Sequence, residues 1–402
     1  MFITPLSPTS PYAIQQYSGN PSVSNQKAHR QSLPTLTPQG TDEFSPRFSS
    51  EAQTAAVLPG SSAIKPLLGI FNPPEVKPYG RILGQYGGKS SGPLYIVVGG
   101  THANELAGIK AFEQVLDELK TNNVAFDGKL VGLVGNLSGV NKNLGKAVPQ
   151  RCEDRDLNRG WNTENIAKLK DAEKSGRLNT LNAEDTETLA LLNQFEALKA
   201  DHVQNNPKQP IYLLDMHTTS SAGAPQLLTS KPVWQLRDMP LPTFPKHHKV
   251  FNHMMYPYLQ DKLGFNAMIV EAGQHKDKKS VKTAKAALWL AMELGGAVDK
   301  NSFDYKAEYQ HLKSQTPPEL LKVYDTKHLE KITDPTGFKP LLQSKANMVP
   351  VQPGQVVAKD GDRLLKIPES LTQPAYLLMM NRQHPQTIKK YDEAYTVAVA
   401  TS

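Results

Sequence analysis

Four short apolar runs, separated by segments with helical periodicity, constrain most strongly what this chain can fold into. Each run is continuous rather than alternating, which is typical of a strand buried on both faces of a parallel sheet. The segments between them place apolar residues three and four positions apart, as on one face of a helix. Strands that alternate with helices predict an α/β domain with a mostly parallel central sheet flanked by helices, over residues 79–298. The runs are 94–99, 129–135, 211–216 and 267–271, and the clearest helices are predicted at 106–119, 188–203 and 279–294.

The regions on either side of this domain have a different composition. Residues 1–75 are rich in Ser, Pro, Thr and Gln and follow neither period, which predicts a disordered leader. A targeting or secretion segment is the alternative. After residue 300, prolines punctuate short apolar runs, and Asp360-Gly361-Asp362 is a turn signal. We therefore predict a smaller β-rich domain over residues 303–402.

Composition limits the classes of function. The 402 residues carry a formal net charge of +7, which favours anionic ligands. Basic residues are spread widely and are not interleaved with aromatics, so we expect a solvated basic surface rather than nucleic-acid binding. Cys152 is the only cysteine, which excludes an intramolecular disulfide and cysteine-based metal sites. The sequence has neither a run of about 18 apolar residues nor a conventional signal peptide, so we expect no membrane span and, by default, a cytoplasmic protein.

Potential metal ligands stand at the ends of two of the runs. His102 and Glu105 lie three residues apart just after the first run, and His217 follows the third. The carboxyl ends of parallel strands meet at one edge of a sheet, so we expect these side chains to lie close together. Two imidazoles and one carboxylate leave a coordination position open, as in catalytic zinc sites. The alternative is a capping histidine and a glutamate at a helix start, without a metal.

Two further segments carry reactive groups. Residues 151–159 read Arg-Cys-Glu-Asp-Arg-Asp-Leu-Asn-Arg, and guanidinium groups bind carboxylates in bidentate geometry and stabilise oxyanions. The alternative for this segment is a solvated charged loop. Glu271 ends the fourth run, and beside a metal-activated water it would be a general base. The alternative for Glu271 is a strand-end carboxylate in a salt bridge.

Together these motifs resemble the succinylglutamate desuccinylase and aspartoacylase family, which is related to zinc carboxypeptidases. The resemblance covers residues 79–298 well and 303–402 more loosely. It implies a zinc carboxypeptidase-like domain and a β-rich C-terminal domain that narrows the entrance to the site. In chain order, the motifs are Gly100-Thr-His-Ala-Asn-Glu105, Arg151 with Asp156-Leu-Asn-Arg159, Asp215-Met-His217 and Glu271-Ala-Gly273.

The resemblance also implies a role for the residues nearest the reaction. One zinc ion per chain would be bound by His102, Glu105 and His217. Glu271 matches the general base of the family. Arg151 resembles the arginine that polarises the scissile carbonyl.

Substrate-binding residues follow from the same resemblance. Asn158 and Arg159 match the pair that binds the substrate carboxylate, and Asp156 resembles the carboxylate that orients a zinc-bound histidine. The family hydrolyses the amide of N-acyl amino acids, so the expected partner is a small anionic acyl amino acid, with no nucleic acid and no membrane. The oligomeric state stays open. The alternative functions are a zinc carboxypeptidase acting on peptide C-termini and a non-catalytic zinc-binding relative.

The chain departs from the family pattern at several positions. Ala103 replaces the usual glycine, and Gln274 and His275 replace the proline-rich loop after the base. Aspartoacylases carry an arginine shortly before the base. Lys262 stands in that region here, and a lysine does not reproduce the bidentate fork, which argues against N-acetylaspartate as the substrate. Tyr376 is a candidate for the C-terminal substrate tyrosine of the family.

Overall fold

In the computed structural model of the protein, the four apolar runs form neighbouring strands at the centre of one sheet. The structure describes residues 77–88, 91–229, 238–246, 252–344, 346–371, 374–383 and 385–401. The predicted leader, residues 1–75, lies outside these residues. All described residues belong to one structural unit, residues 71–402.

Strands and helices alternate in the first half of the described chain, and short strands dominate the second. The strands are β1 (Ile82–Gly87), β2 (Leu94–Gly99), β3 (Lys129–Val134), β4 (Ile211–Thr219), β5 (Ala222–Gly223), β6 (Gln226–Leu228), β7 (Thr243–Lys246), β8 (Asn266–Gln274), β9 (Val323–Lys331), β10 (Lys339–Pro340), β11 (Ala346–Asn347), β12 (Val349–Val351), β13 (Val356–Asp360), β14 (Arg363–Lys366), β15 (Ala375–Leu378) and β16 (Glu393–Ala400). The helices are α1 (Ala107–Thr121), α2 (Leu137–Asn143), α3 (Thr163–Lys174), α4 (Ala183–Asn205), α5 (Met255–Tyr258), α6 (Lys278–Leu294) and α7 (Tyr305–Gln315).

The main sheet is mixed. Within the described residues it has 11 strands in the order β1-β3-β2-β4-β8-β6-β7-β9-β16-β15-β12. The central strands β3, β2, β4 and β8 are parallel, whereas β1, β6 and the strands from β16 to β12 pair antiparallel with a neighbour. The α/β prediction is confirmed, but the sheet is not mostly parallel: parallel pairs occur among β3, β2, β4 and β8 and among β6, β7 and β9, and the other pairs are antiparallel. Parallel neighbours need a long crossover, and α1 provides it between β2 and β3.

Helices cover both faces of the central sheet. Leu94, Ile96 and Val98 of β2 belong to a core that includes the apolar face of α4. Tyr95 and Val97, which alternate with them, belong to a second core with α1 and α6. Because both faces of β2 are buried, its sequence is continuously apolar.

The sheet continues across the predicted boundary near residue 300, because β7 pairs in parallel with β9. We propose that residues 79–298 and 303–402 are nevertheless two domains of the chain. The Asp360-Gly361-Asp362 turn joins β13 to β14, and Gly361 has the positive φ of 63° that favours glycine. In the described part of the chain, no helix is long and apolar enough to cross a bilayer.

Gly108, the second residue of α1, lets this helix approach β4 closely. A Cβ atom at Gly108 would lie 2.4 Å from the Cβ of Met216, the residue before His217. We expect Gly108→Ala to lower the free energy of unfolding by about 1–3 kcal/mol, because overpacking pushes the helix off the strand. Urea unfolding followed by circular dichroism measures this change. Gly80→Ala is the control, since its Cβ would meet only the Ile82 carbonyl oxygen at 3.9 Å; equal midpoints for the two variants would contradict the prediction.

Candidate metal and catalytic site

Three side chains that can bind a metal meet at the carboxyl end of the central strands. His102 and Glu105 lie in the turn between β2 and α1, and His217 lies on β4, which pairs with β2. Nδ1 of His102 lies 2.9 Å from Oε1 of Glu105 and 3.0 Å from Nδ1 of His217, and the latter lies 3.1 Å from Oε2 of Glu105. All three side chains are buried. The structure therefore brings together the three residues predicted as metal ligands.

The outer nitrogens of both imidazoles face carboxylates. Nε2 of His217 lies 2.8 Å from Oδ2 of Asp215, and Nε2 of His102 lies 3.2 Å from Oδ1 of Asp156. In the tautomers that donate these hydrogen bonds, each Nδ1 carries a lone pair rather than a proton. Two lone pairs and a carboxylate then converge with no proton between them, which suits a cation. Neighbouring ligands around zinc lie about 3–3.5 Å apart, so this donor set fits a zinc ion.

The charges of this cluster depend on one another. Burial disfavours the carboxylate form of Glu105, but His102 and His217 outweigh burial and hold the pKa of Glu105 well below its ordinary value. Burial also disfavours the imidazolium form of His217, but Asp215 and Glu105 outweigh it and raise the pKa of His217 well above its ordinary value. Protons and metal ions therefore compete for Nδ1 of His217.

Asp215 has a role that the sequence analysis did not assign. Its Oδ2 faces His217, and its Oδ1 accepts a hydrogen bond from Oγ1 of Thr101 at 2.7 Å, so its orientation is fixed. We expect Asp215→Asn to weaken zinc affinity by about 10- to 100-fold, because an amide no longer fixes the tautomer and basicity of His217. Competition with a chromogenic chelator measures the affinity. Asp117→Asn, which changes an exposed carboxylate on α1, is the control, and wild-type affinity in Asp215→Asn would disprove this role.

The segment 151–159 presents side chains to the same cluster. Nη2 of Arg151 lies 2.9 Å from Oδ2 of Asp156, and Nη1 lies 3.4 Å from Oε1 of Glu105. Burial disfavours ionised Asp156, but Arg151 and His102 outweigh it and hold the pKa of Asp156 well below its ordinary value. Asp156 therefore bridges Arg151 and His102, with one oxygen directed to each.

The two residues predicted to bind the substrate carboxylate already have partners within the protein. Oδ1 of Asn158 accepts a hydrogen bond from the Met255 N–H at 2.8 Å, which leaves its NH₂ group for a substrate. Arg159 pairs through Nη2 with Glu393 of β16, and its Nη1 donates to the Asn158 carbonyl at 3.0 Å. Both residues line the cavity described below. Arg159 therefore offers a substrate only the N–H groups that these partners leave.

Two groups that no motif indicated hold this segment in place. The carboxylate of Glu184, at the start of α4, is fully buried and accepts hydrogen bonds from the backbone N–H groups of residues 153–155 at 2.7 to 3.1 Å. From the C-terminal part, Nζ of Lys389 lies 3.3 Å from Sγ of Cys152 and donates to the carbonyls of residues 153 and 154. The segment is thus anchored from two sides, unlike a solvated charged loop.

Glu271 lies on β8, opposite His217 in the register of β4 and β8. Among the described residues its carboxylate has no hydrogen-bond or ion-pair partner: Oε2 is buried without one, and the side chain lines the cavity. Burial raises the pKa of Glu271 to about 8, with smaller contributions from His217, which lowers it, and Glu105, which raises it. A cation at the cluster would lower this pKa, because nearby positive charge favours the carboxylate form.

The metal-binding cluster, the segment 151–159 and Glu271 all line one cavity of about 480 Å³. His275, which follows β8, also lines it. Nδ1 of His275 lies 2.8 Å from Oγ1 of Thr218, and burial lowers the pKa of His275 to about 4, so its imidazole is neutral near pH 7.

Residues after 300 form part of the cavity wall: Lys331, Met379, Asn381, Gln383 and residues 389–393. Tyr391 is the tyrosine in this wall, and it has a positive φ of 72°. Lys262 and Tyr376, which the resemblance to the family brought into consideration, lie elsewhere. Lys262 lies in a π-helical turn, and Tyr376 packs edge-on against Tyr324; neither lines the cavity.

Comparison with known proteins covers the region of the first three motifs. Residues 91–232 match the sequence profile of the succinylglutamate desuccinylase/aspartoacylase catalytic domain. That range contains His102, Glu105, His217 and the segment 151–159, and it ends before Glu271. No curated protein sequence matches the chain significantly.

Solved structures extend the likeness to most of the described chain. The product-bound structure of the ectoine utilization protein EutE from Ruegeria pomeroyi is 13% identical and has a TM-score of 0.51, with 78% of this chain and 87% of that chain covered. Succinylglutamate desuccinylase from Vibrio cholerae is 12% identical and has a TM-score of 0.50, with 77% and 82% covered. At such identities these likenesses show a shared fold. Together with the profile match they support the resemblance seen in the motifs: residues 91–232 are similar to the catalytic domain of the succinylglutamate desuccinylase/aspartoacylase family.

Proposed function

We propose that the protein hydrolyses the amide bond of an N-acyl amino acid, with zinc as its cofactor, and releases a carboxylate and an amino acid. The observation that carries this proposal is the convergence of His102, Glu105 and His217 next to the partner-free carboxylate of Glu271 in one cavity. The profile match of residues 91–232 supports the same class of reaction.

Glu271 is the proposed general base and acid. Nδ1 of His102, the Glu105 carboxylate and Nδ1 of His217 would hold the zinc, which when bound supplies Lewis acidity toward a water and the scissile carbonyl. The Glu271 carboxylate takes a proton from the attacking water and later gives it to the departing nitrogen. A carbon–oxygen bond forms, the carbon–nitrogen bond breaks, and the amine leaves with that proton.

Arg151 is the proposed stabiliser of the negative charge that develops on the carbonyl oxygen. Asp156 holds its guanidinium through Nε and Nη2, at 3.2 and 2.9 Å, so the group is oriented before a substrate binds. The NH₂ group of Asn158 and the remaining N–H groups of Arg159 would bind the carboxylate of the amino acid.

The wall formed by residues after 300 supports a small anionic substrate. A cavity of about 480 Å³ lies within the range of small-molecule sites, about 300–1,000 Å³. Lys331 and Lys390 line this wall. Their charges would attract an anionic acyl amino acid to the cavity.

The experiment that tests this function is amine release from a panel of N-acetyl amino acids, N-succinyl amino acids and dipeptides. We expect wild-type protein with one zinc per chain to hydrolyse at least one acyl amino acid, and Glu271→Ala to hydrolyse none. Cleavage of dipeptides alone would instead support a carboxypeptidase. Bound zinc without any turnover would support a non-catalytic relative.

A further inference from the structure

Three polar side chains stand side by side on three adjacent strands. Glu271 of β8 is in register with His217 of β4 on one side and with Gln226 of β6 on the other. Directly opposed residues place their side chains on the same face of a sheet. The next pair on that face of β6 and β8, Leu228 and Ile269, also lines the cavity. Gln226 is therefore on the cavity side of the sheet, next to the proposed general base.

Gln226 and Glu271 have complementary unsatisfied groups. Gln226 is 0% exposed, and among the described residues neither its Nε2 nor its Oε1 has a hydrogen-bond partner. Oε2 of Glu271 is also buried without a partner. A buried donor or acceptor without a partner is destabilising, so such groups in a folded protein are rare and call for an explanation. A hydrogen bond from Nε2 of Gln226 to Oε2 of Glu271 would satisfy two of these three atoms.

The distance between the two strands allows this contact. The Cβ atoms of directly opposed residues lie about 4.5–5.5 Å apart, so rotation of the two flexible side chains brings the amide of Gln226 to the carboxylate of Glu271 without a backbone shift. A donor on Oε2 would leave the other oxygen of Glu271 directed into the cavity. His217, on the opposite side of Glu271, directs its own Nε2 to Asp215 and cannot use that nitrogen for Glu271.

We propose that Gln226 is a positioning residue for Glu271: its carboxamide N–H donates to Oε2 and fixes the direction in which the carboxylate faces the substrate. Gln226 acts through Glu271 and does not itself touch the substrate. The role of Gln226 in catalysis rests on the proposed function, whereas its contact with Glu271 can be tested without any substrate.

The test of the contact is a double-mutant cycle on stability, with Gln226→Met, Glu271→Met and the double variant. Methionine keeps the length of both side chains and removes their hydrogen bonds. We expect Gln226→Met to lower the urea midpoint when Glu271 is present, because the carboxylate loses its donor. In the Glu271→Met background we expect the same change to leave the midpoint equal or higher. The same shift in both backgrounds would overturn the proposal.

The kinetic arm tests the consequence for catalysis. On an acyl amino acid that wild type hydrolyses, we expect Gln226→Met to lower kcat about 10-fold, the effect of losing a hydrogen bond to a charged group. KM and zinc content should stay the same. Thr396→Val is the control, since Thr396 on β16 is another buried residue whose hydroxyl has no partner among the described residues, and it should keep wild-type kcat. An unchanged kcat in Gln226→Met would overturn the positioning role. If the wild-type protein hydrolyses no substrate, the proposed function is refuted, and the double-mutant cycle on stability alone decides whether Gln226 contacts Glu271.

Discussion

Glu271→Gln is expected to lower kcat by about 100- to 10,000-fold, the contribution that general acid–base catalysis makes in comparable enzymes. Glutamine has the shape of glutamate but cannot accept the proton of the attacking water or return it to the leaving nitrogen. Glu271 makes no ion pair with the described residues, and the amide oxygen of a glutamine can still accept the hydrogen bond proposed from Gln226, so we expect this exchange to leave the fold intact. The measurement is steady-state amine release from the best acyl amino acid substrate, together with zinc content.

The control for this variant is Glu164→Gln, which changes an exposed carboxylate on α3 that pairs with Lys168. It should keep wild-type kcat. Glu271→Gln with full zinc content and a kcat within about threefold of wild type would contradict the proposed base, because a general base contributes far more than that.

His217→Ala is expected to reduce bound zinc below one per chain and to lower kcat/KM by about 1,000-fold or more. Removing Nδ1 of His217 leaves His102 and Glu105 as the remaining protein ligands, and Lewis acid catalysis is worth several kcal/mol. It also leaves Asp215 buried without its imidazole partner, so the variant should be less stable than wild type. Elemental analysis after dialysis measures the zinc, and amine release measures the activity.

His202→Gln is the matched control for His217→Ala. His202 is also a buried histidine, on α4, and its Nε2 lies 3.1 Å from the Gln209 carbonyl oxygen, away from the cavity lining. It should keep full zinc content even if its stability falls. Stoichiometric zinc and normal turnover in His217→Ala would remove His217 from the proposed ligand set.

The central strands could be predicted because burial on both faces leaves a continuous apolar run. The runs at 94–99 and 129–135 match β2 and β3 closely. By contrast, β4 and β8 each extend three residues beyond the predicted runs, to Thr219 and Gln274. In β4 the last three residues, His217 to Thr219, are polar and line the cavity, so the apolar pattern stops where the strand still pairs.

The arrangement of the C-terminal part could not be read from local patterns. Helix α7 has few buried residues, among them Glu308 and Leu312, so it lacks the apolar stripe that predicts a helix. Strand β16 lies between β9 and β15. In the sequence, β9 ends at Lys331 and β16 begins only at Glu393, so these paired strands are far apart along the chain. Such pairing depends on tertiary packing rather than on local periodicity.

In the site, too, some residues could be predicted from local sequence and others could not. His102, Glu105, His217 and Glu271 could be placed together because each lies at the carboxyl end of a central strand. Contacts that support them join distant segments: Arg159 pairs with Glu393, 234 residues later. No spacing rule predicts such a contact, and the opposition of Gln226 and Glu271 follows only from the register of β6 and β8.

The most direct measurement is amine release from an N-acyl amino acid by one protein sample before chelation, after removal of its metal, and after addition of one equivalent of zinc. We expect activity to be lost with the metal and restored by zinc, because the ligand atoms of His102, Glu105 and His217 converge beside Glu271. Full activity after complete removal of metal would contradict a zinc-dependent deacylase.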